Sequence, residues 1–311
     1  MFKPYKFTFT LTSTLIIILL ILFATSITGW SRNLTYPLIL TDDSSATVTI
    51  NEGPRRIISA APSHTEILFE LGLADRLVGV TEFCNYPAEA KEIESIGKMA
   101  PLNLEKIALL QPDLILTYGG FQMKDIPRLR ELGFTVLVIQ PESISEMIQG
   151  IQMIANACGM TDRGQIYCAA LQDRIKQVKV NVNQNKDRKP IRVFVGSNYD
   201  DLFSPGKGTL FHELITLAGG ENIAGHLTGW SKINPEWVAQ AEPEIILIPI
   251  GAMNPDEIKK IKDDVINHPG WKHVPAIEKG HIFTVNEDLF YRAGPRLVDG
   301  LEKLNEIFNQ T

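Results

Sequence analysis

The chain has 311 residues, 44% of them hydrophobic and 21% charged, and a formal net charge of −6. That length accommodates two cores at the usual ~100–200 residues per domain. The negative balance argues against a nucleic-acid surface, which is normally basic, and the recurrence of apolar residues along the chain argues against disorder.

The N-terminal stretch MFKPYKFTFTLTSTLIIILLILFATSITGW stands apart from the rest. Lys3 and Lys6 precede an uncharged segment reaching Ser31, within which Leu15 to Phe23 is an unbroken apolar run. A positive flank, an apolar run and then small residues (Ala24, Thr25, Ser26) form the pattern of a secretory signal. The stretch is also long enough to cross a bilayer, so an uncleaved anchor is the alternative. Residues 1–33 are read as one or the other, and the remainder as exported. No Cys stands near residue 25 to take a lipid. Cys84, Cys158 and Cys168 cannot all pair internally and are read as buried small hydrophobes.

Residues 37–50 alternate loosely and predict a β-hairpin turning near Asp42, Asp43 and Ser44. Ile57 to Ala60 reads as a strand, followed by a helix capped by Ser63 or Thr65 and stopped by Gly72. Strands at 77–80, 114–117 and 136–139 alternate with helices at 104–110 and 126–132. Short connections between strand and helix predict βαβ units and a parallel sheet. Ser143 and Glu146 fit a capping box, and Ile144, Met147, Ile148, Ile151 and Ile154 follow at helical spacing. The helical pattern runs on through Ile166, Ile175 and Val178 with a break near 159–164. A flexible linker would be rich in Gly, Ser or Pro, so this apolar segment predicts a stiff, packed spacer. Strand and helix then resume: strands at 191–197, 245–248 and 281–286, helices at 235–241, 256–266 and 295–308, and another helix within GKGTLFHELITLAGG.

The chain repeats itself. NLEKIALLQPDLIL at 103–116 and NPEWVAQAEPEIIL at 234–247 match identically at Asn103/Asn234, Glu105/Glu236, Ala108/Ala239, Pro112/Pro243, Ile115/Ile246 and Leu116/Leu247. Solenoid periods run to roughly 20–50 residues, so this longer spacing points to two similar domains. The predicted fold is α/β, with two Rossmann-like lobes at residues 36–142 and 190–311. A long rigid helical linker at 143–186 joins them, and a ligand cleft lies between them at strand carboxyl ends.

Catalytic signatures are missing. SPGKGTL lacks the glycine and hydroxyl residue of a phosphate loop, and no G-x-S-x-G is present. Among the histidines only His64, between a strand and a helix, is a candidate metal or haem ligand; the alternative is a histidine bonded to backbone. Aromatics gather in loops after predicted strands: Phe83, Tyr86, Tyr118, Phe121, Phe203, Trp230, Phe290 and Tyr291, with Asp288 and Arg292 beside them. Aromatic faces suit a large flat ligand, whereas a siderophore cleft would carry several Arg or Lys for anionic oxygens.

The segments RIISAAPSHTEILFELGL, FCNYPAEA, LNLEKIALLQPDLIL, GGENIAG and RAGPRLVDGL, in this order, resemble the substrate-binding proteins of ABC importers for iron complexes and cobalamin, most of all the cobalamin branch. The resemblance covers about residues 36–308. It implies two α/β lobes joined by one rigid helix, no catalysis, a monomeric receptor, and delivery of a corrinoid to an ABC permease of the inner membrane. It implies corrinoid contacts at Tyr86, Tyr118, Phe203, Trp230 and Asp288, and permease docking through Glu94 and Glu221. Where family members carry a Trp after the NYP region, this chain reads IGKMAP, which leaves haem or a ferric siderophore open as ligand. An enzyme and a membrane-anchored sensor are the readings from other classes.

Overall fold

The computed structural model describes residues 35–185, 187–196 and 202–311. The N-terminal segment expected to direct export lies outside these residues. Among the described residues no helix is long and apolar enough to cross a membrane.

The chain opens with a hairpin, β1 (Leu38–Thr41) and β2 (Thr47–Ile50). Asp42 at its turn is buried and bolts it to the first lobe, accepting from the Val138 amide at 3.0 Å and from Arg130 at 2.6 Å. The first lobe follows as β3 (Ile57–Ser59), α1 (Pro62–Glu70), β4 (Leu77–Val80), α2 (Leu104–Leu109), β5 (Leu114–Thr117), α3 (Ile126–Glu131) and β6 (Val136–Val138). Its sheet is parallel in the order β4-β3-β5-β6. Ser63 and Thr65 do not cap α1, contrary to the sequence expectation. The helix starts at Pro62, whose fixed φ suits a first-turn position, and Thr65 Oγ1 instead donates to Ser59 Oγ at 2.8 Å.

Two helices, not one, form the linker: α4 (Ile144–Ala157) and α5 (Thr161–Gln184). The break falls at 158–160, with Gly159 at φ +74°, and Gly164 lies inside α5. Gly164 is there for close packing, since a Cβ would stand 2.3 Å from that of Ala155 on α4. Ile166, expected on the packed face, is exposed. The capping box is half-formed: Ser143 Oγ accepts from the Glu146 amide, but the Glu146 carboxylate takes the amide of Glu142 rather than that of Ser143. At 1.5 Å per residue α5 is roughly 36 Å long. One continuous apolar cluster runs from Leu116 through Ile151 and Leu171 to Leu247 and Leu301, so the linker is core for both lobes.

The second lobe comprises β7 (Ile191–Val195), β8 (Phe203–Pro205), α6 (Leu210–Leu217), β9 (Gly220–Asn222), β10 (Trp230–Lys232), α7 (Pro235–Gln240) and β11 (Ile245–Ile250). It closes with α8 (Pro255–Ile266), α9 (Pro275–Glu278), β12 (Ile282–Asn286), α10 (Asp288–Tyr291) and α11 (Leu297–Gln310). Its parallel sheet, β9-β7-β11-β12, has the same winding as the first: second strand, first, third, fourth. Two features escaped the sequence reading. GGENIAG, read as a helix stop, supplies edge strand β9, and β8 pairs with β10 as a separate antiparallel ribbon. Strands of three residues are too short to show a period.

Candidate functional site

In the first lobe the strand order reverses between β3 and β5, and a crevice opens at their carboxyl ends. Beyond β5 the chain turns through a 3-10 helix at Gly120–Gln122. The buried Gln122 side chain organises this corner. It accepts from the Tyr118 amide at 2.8 Å and donates to the carbonyls of Ala60 (2.8 Å) and Met99 (2.9 Å). One amide therefore holds both strand ends and the loop at 99. Gly119 is needed here, because a Cβ would fall 1.8 Å from Gln140 Oε1. The rings of Tyr118 and Phe121 then lie stacked, 6.3 Å apart at 21°.

The second lobe contributes a different aromatic string. Phe211 of α6 stacks on Phe290 of α10 at 4.5 Å, both buried. Tyr291 meets Phe211 edge-on at 6.0 Å and Trp230 of β10 at 5.2 Å. Two cavities lie between the strings. The larger, about 640 Å³, has Tyr118, Gln140 and Glu142 on one wall and Thr209, Trp230 and Tyr291 on the other. The smaller, about 380 Å³, is walled by Ser63, Phe83, Met99 and Phe121 against Arg292. Tyr118 and Tyr291 line both, so the two are compartments of one cleft. Burial pushes both phenols above the usual tyrosine value, helped by the carboxylates of Glu142 and Asp43 for Tyr118 and of Glu287 for Tyr291. Each hydroxyl stays protonated and can donate.

Among the described residues the only charged ones lining these compartments are Glu142 and Arg292. Arg292 is already matched. Its Nη2 meets Asp288 at 2.8 Å, and its Nη1 donates to Asn85 at 2.8 Å and to Glu66 at 3.4 Å. Glu66, on α1 and buried, also receives Nε and Nη2 of Arg296 at 2.9 and 2.6 Å. The lobes are thus braced across the cleft by charge-assisted bonds. Gly294 permits the approach, since a Cβ there would stand 3.2 Å from Ser63. A second brace lies opposite, where Glu213 of α6 accepts from the first amide of α4, Ile144, at 2.9 Å.

Phe83, Tyr118, Trp230, Phe290 and Arg292 of the sequence candidates line the cleft. Phe290 does so with little of its surface, being packed on Phe211. Tyr86 lines neither compartment; its ring lies under the Arg296 guanidinium, 4.0 Å from the centroid. Phe203 lines neither as well, but the ribbon register pairs it with Lys232 and so sets it diagonally beside Trp230 on one face. Asp288 faces Arg292 rather than the cleft. Glu94, paired with Lys106 at 2.8 Å, and Glu221 on β9 are exposed, one on each lobe. His64 sits inside the lobe on α1, Nε2 3.1 Å from the Ile139 carbonyl. Burial lowers its pKa to about 4 against the opposing backbone bonds at Ile139 and Leu116, so the ring is neutral. Among the described residues no group of three or more His, Cys, Asp or Glu could hold a metal ion. Met99, Gln140 and Glu142 were not singled out in the sequence, where nothing separates them from ordinary loop residues. Tyr291 was visible among the loop aromatics, yet only the turn of α10 tells it from Phe290.

Residues 57–289 match the model of a family described as periplasmic binding protein. An uncharacterized ABC transporter substrate-binding lipoprotein, YvrC of Bacillus subtilis, is 31% identical over 276 residues, 87% of this chain and 85% of that one. The crystal structure of the periplasmic vitamin B12 binding protein BtuF of Vibrio cholerae superposes with a TM-score of 0.69 at 27% identity, over 83% of this chain and 97% of that one. The periplasmic heme-binding protein RhuT from Roseiflexus sp. RS-1 does so with a TM-score of 0.72 at 25% identity, over 83% and 99%. With its two like-wound lobes, packed helical linker and aromatic interlobe cleft, the chain belongs to the periplasmic binding protein family, whose members are solute-binding components of transporters and not enzymes.

Proposed function

We propose that this protein is the exported receptor of an ABC importer, capturing a corrinoid between its lobes and passing it to the permease. The observation that carries the reading is the character of the cleft. Phe83, Phe121, Trp230 and Tyr291 leave 40–57% of their surface in solvent around it, while the one cation lining it among the described residues is neutralised by its neighbours. Large apolar rings in water are costly unless they await a partner. Flat aromatic walls with few charges suit a large ring system bearing neutral amides. The similarity to vitamin B12-binding proteins supports the same ligand.

Tyr118, Trp230, Phe83 and Arg292 are the contacts this reading favours, with Phe203, Tyr86 and Phe290 supporting the aromatic wall and Asp288 holding Arg292. Met99, from the stretch where relatives of the cobalamin branch carry Trp, gives a softer and more adaptable wall. Glu94 and Glu221, exposed on separate lobes, would dock onto permease cations. The apolar N-terminus would export the chain or anchor it, and an intact-mass measurement of the membrane fraction separates the two. A haem reading is the second choice, favoured by the phenols of Tyr118 and Tyr291 in the cleft and by the similarity to RhuT.

The test is a fluorescence titration of the mature chain with cyanocobalamin, haemin and a ferric siderophore, corrected for inner-filter absorption. Saturable quenching by cyanocobalamin alone is expected. Trp230→Ala should weaken it about tenfold, near the top of the ~0.5–1.5 kcal/mol scale of an aromatic contact, while leaving the thermal transition in place. Binding of haemin or the siderophore in its stead would keep the transport role and replace the ligand.

A further inference from the structure

We infer that Glu66 is a positioning residue that sets the charge preference of the cleft. The inference rests on the cleft being the ligand site. Its basis is the juxtaposition of one buried carboxylate from the first lobe with two guanidiniums from the second. Glu66 is 2% exposed, Arg296 12% and Arg292 16% by side chain. Asp288 completes the group, 2.8 Å from Arg292 and 3.8 Å from Arg296. Two carboxylates face two guanidiniums, and the group is neutral as a whole.

Arg292 is the only member that lines the cleft. Its Nη1 is shared between Glu66 and Asn85, and Nη2 between Asp288 and the Phe83 carbonyl at 3.5 Å. Held in this way it offers an incoming ligand a balanced cation. The same carboxylate fixes Arg296 over the Tyr86 ring. Removing the negative charge of Glu66 would leave one guanidinium unmatched at the smaller compartment. Among the described residues Glu142 is the other charged group of the lining and sits in the larger compartment. Glu66, without touching ligand, therefore makes the site favour neutral over anionic ring systems.

The experiment compares wild type, Glu66→Gln and Asp288→Asn against cyanocobalamin and its monocarboxylate, which differ by one peripheral charge, and against haemin, at low and high salt. Wild type should prefer the neutral corrinoid. Glu66→Gln should move the ratio of the two dissociation constants roughly tenfold toward the anion, the scale of one extra charge at several ångströms in a half-screened site. The shift should shrink at high salt. Asp288→Asn, at the more exposed carboxylate, should move it the same way by less, and decides the matter if Glu66→Gln does not fold. A folded variant that weakens both corrinoids equally, or leaves the ratio unchanged, overturns the inference, because a purely structural role would act on both alike. If wild type binds neither corrinoid, the corrinoid reading fails. Glu66 is then judged on haemin: tighter binding by the variants supports it, and no gain overturns it.

Discussion

The two lobes share one parallel-sheet scaffold and differ in the segments that line the cleft between them. In both, an asparagine caps the repeated helix: Asn103 accepts from the Lys106 amide, Asn234 from that of Glu236. Both helices end on a non-glycine residue at positive φ, Gln111 at +44° and Glu242 at +47°, just before the conserved-in-repeat proline. In both an arginine from the neighbouring strand meets the freed carbonyls: Arg56 those of Leu110 and Gln111, Arg192 that of Glu242. The acid after the proline then returns the favour, Asp113 to the Arg56 amide and Glu244 to the Arg192 amide. Past the central strand the likeness stops. The first lobe places Tyr118 and Phe121 at its own switch point, whereas among the described residues the second lines the cleft from α6, the β8/β10 ribbon and α10. The repeat is scaffold, and the cleft is lined by the unrepeated segments.

Six substitutions would break or sharpen that comparison. Leu116→Ala and Leu247→Ala occupy matched, fully buried positions and should each destabilise by about 2–5 kcal/mol, read as a shift of the urea midpoint. Markedly unequal losses would mean that the lobes do not lean on their common unit alike.

Acid should loosen the first lobe more, since His64 there is fully buried whereas His212 and His268 of the second, also lowered by burial, are only partly so. The unfolded chain protonates His64 near 6.5, the folded one only near 4. Between those values the unfolded state binds the extra proton, so stability falls as pH drops from 6.5 and levels off near 4. The full loss is about 3 kcal/mol. His64→Gln should flatten this dependence, and amide exchange in β3 and β5 should quicken on acidification before that in β7 and β11. Equal loosening of both sheets would refute the assignment.

The smallest effects are those of the caps. Asn103→Ala and Asn234→Ala should each cost about 1 kcal/mol in thermal unfolding, without altering ligand affinity. Tyr118→Phe, by contrast, should leave the thermal transition nearly unmoved and weaken ligand binding by a few-fold, about 1 kcal/mol for one lost hydroxyl donor. A cap variant that changed affinity would show that the scaffold reaches into the site.

The sequence by itself determined the two α/β halves, the packed helical joint and most of the aromatic residues. Helix and strand periods, prolines and glycines are local signals, and Leu114–Thr117 and Ile245–Ile250 carry them plainly. Tertiary structure alone decided which aromatics face the cleft. Phe290 and Tyr291 are neighbours in the chain, yet one packs on Phe211 and the other lines both compartments. It also decided that Arg292 is balanced by Glu66, a partner 226 residues away that no spacing reveals. Such pairings form across the lobe boundary, where contacts are set by how two folded bodies meet and not by any pattern along one segment.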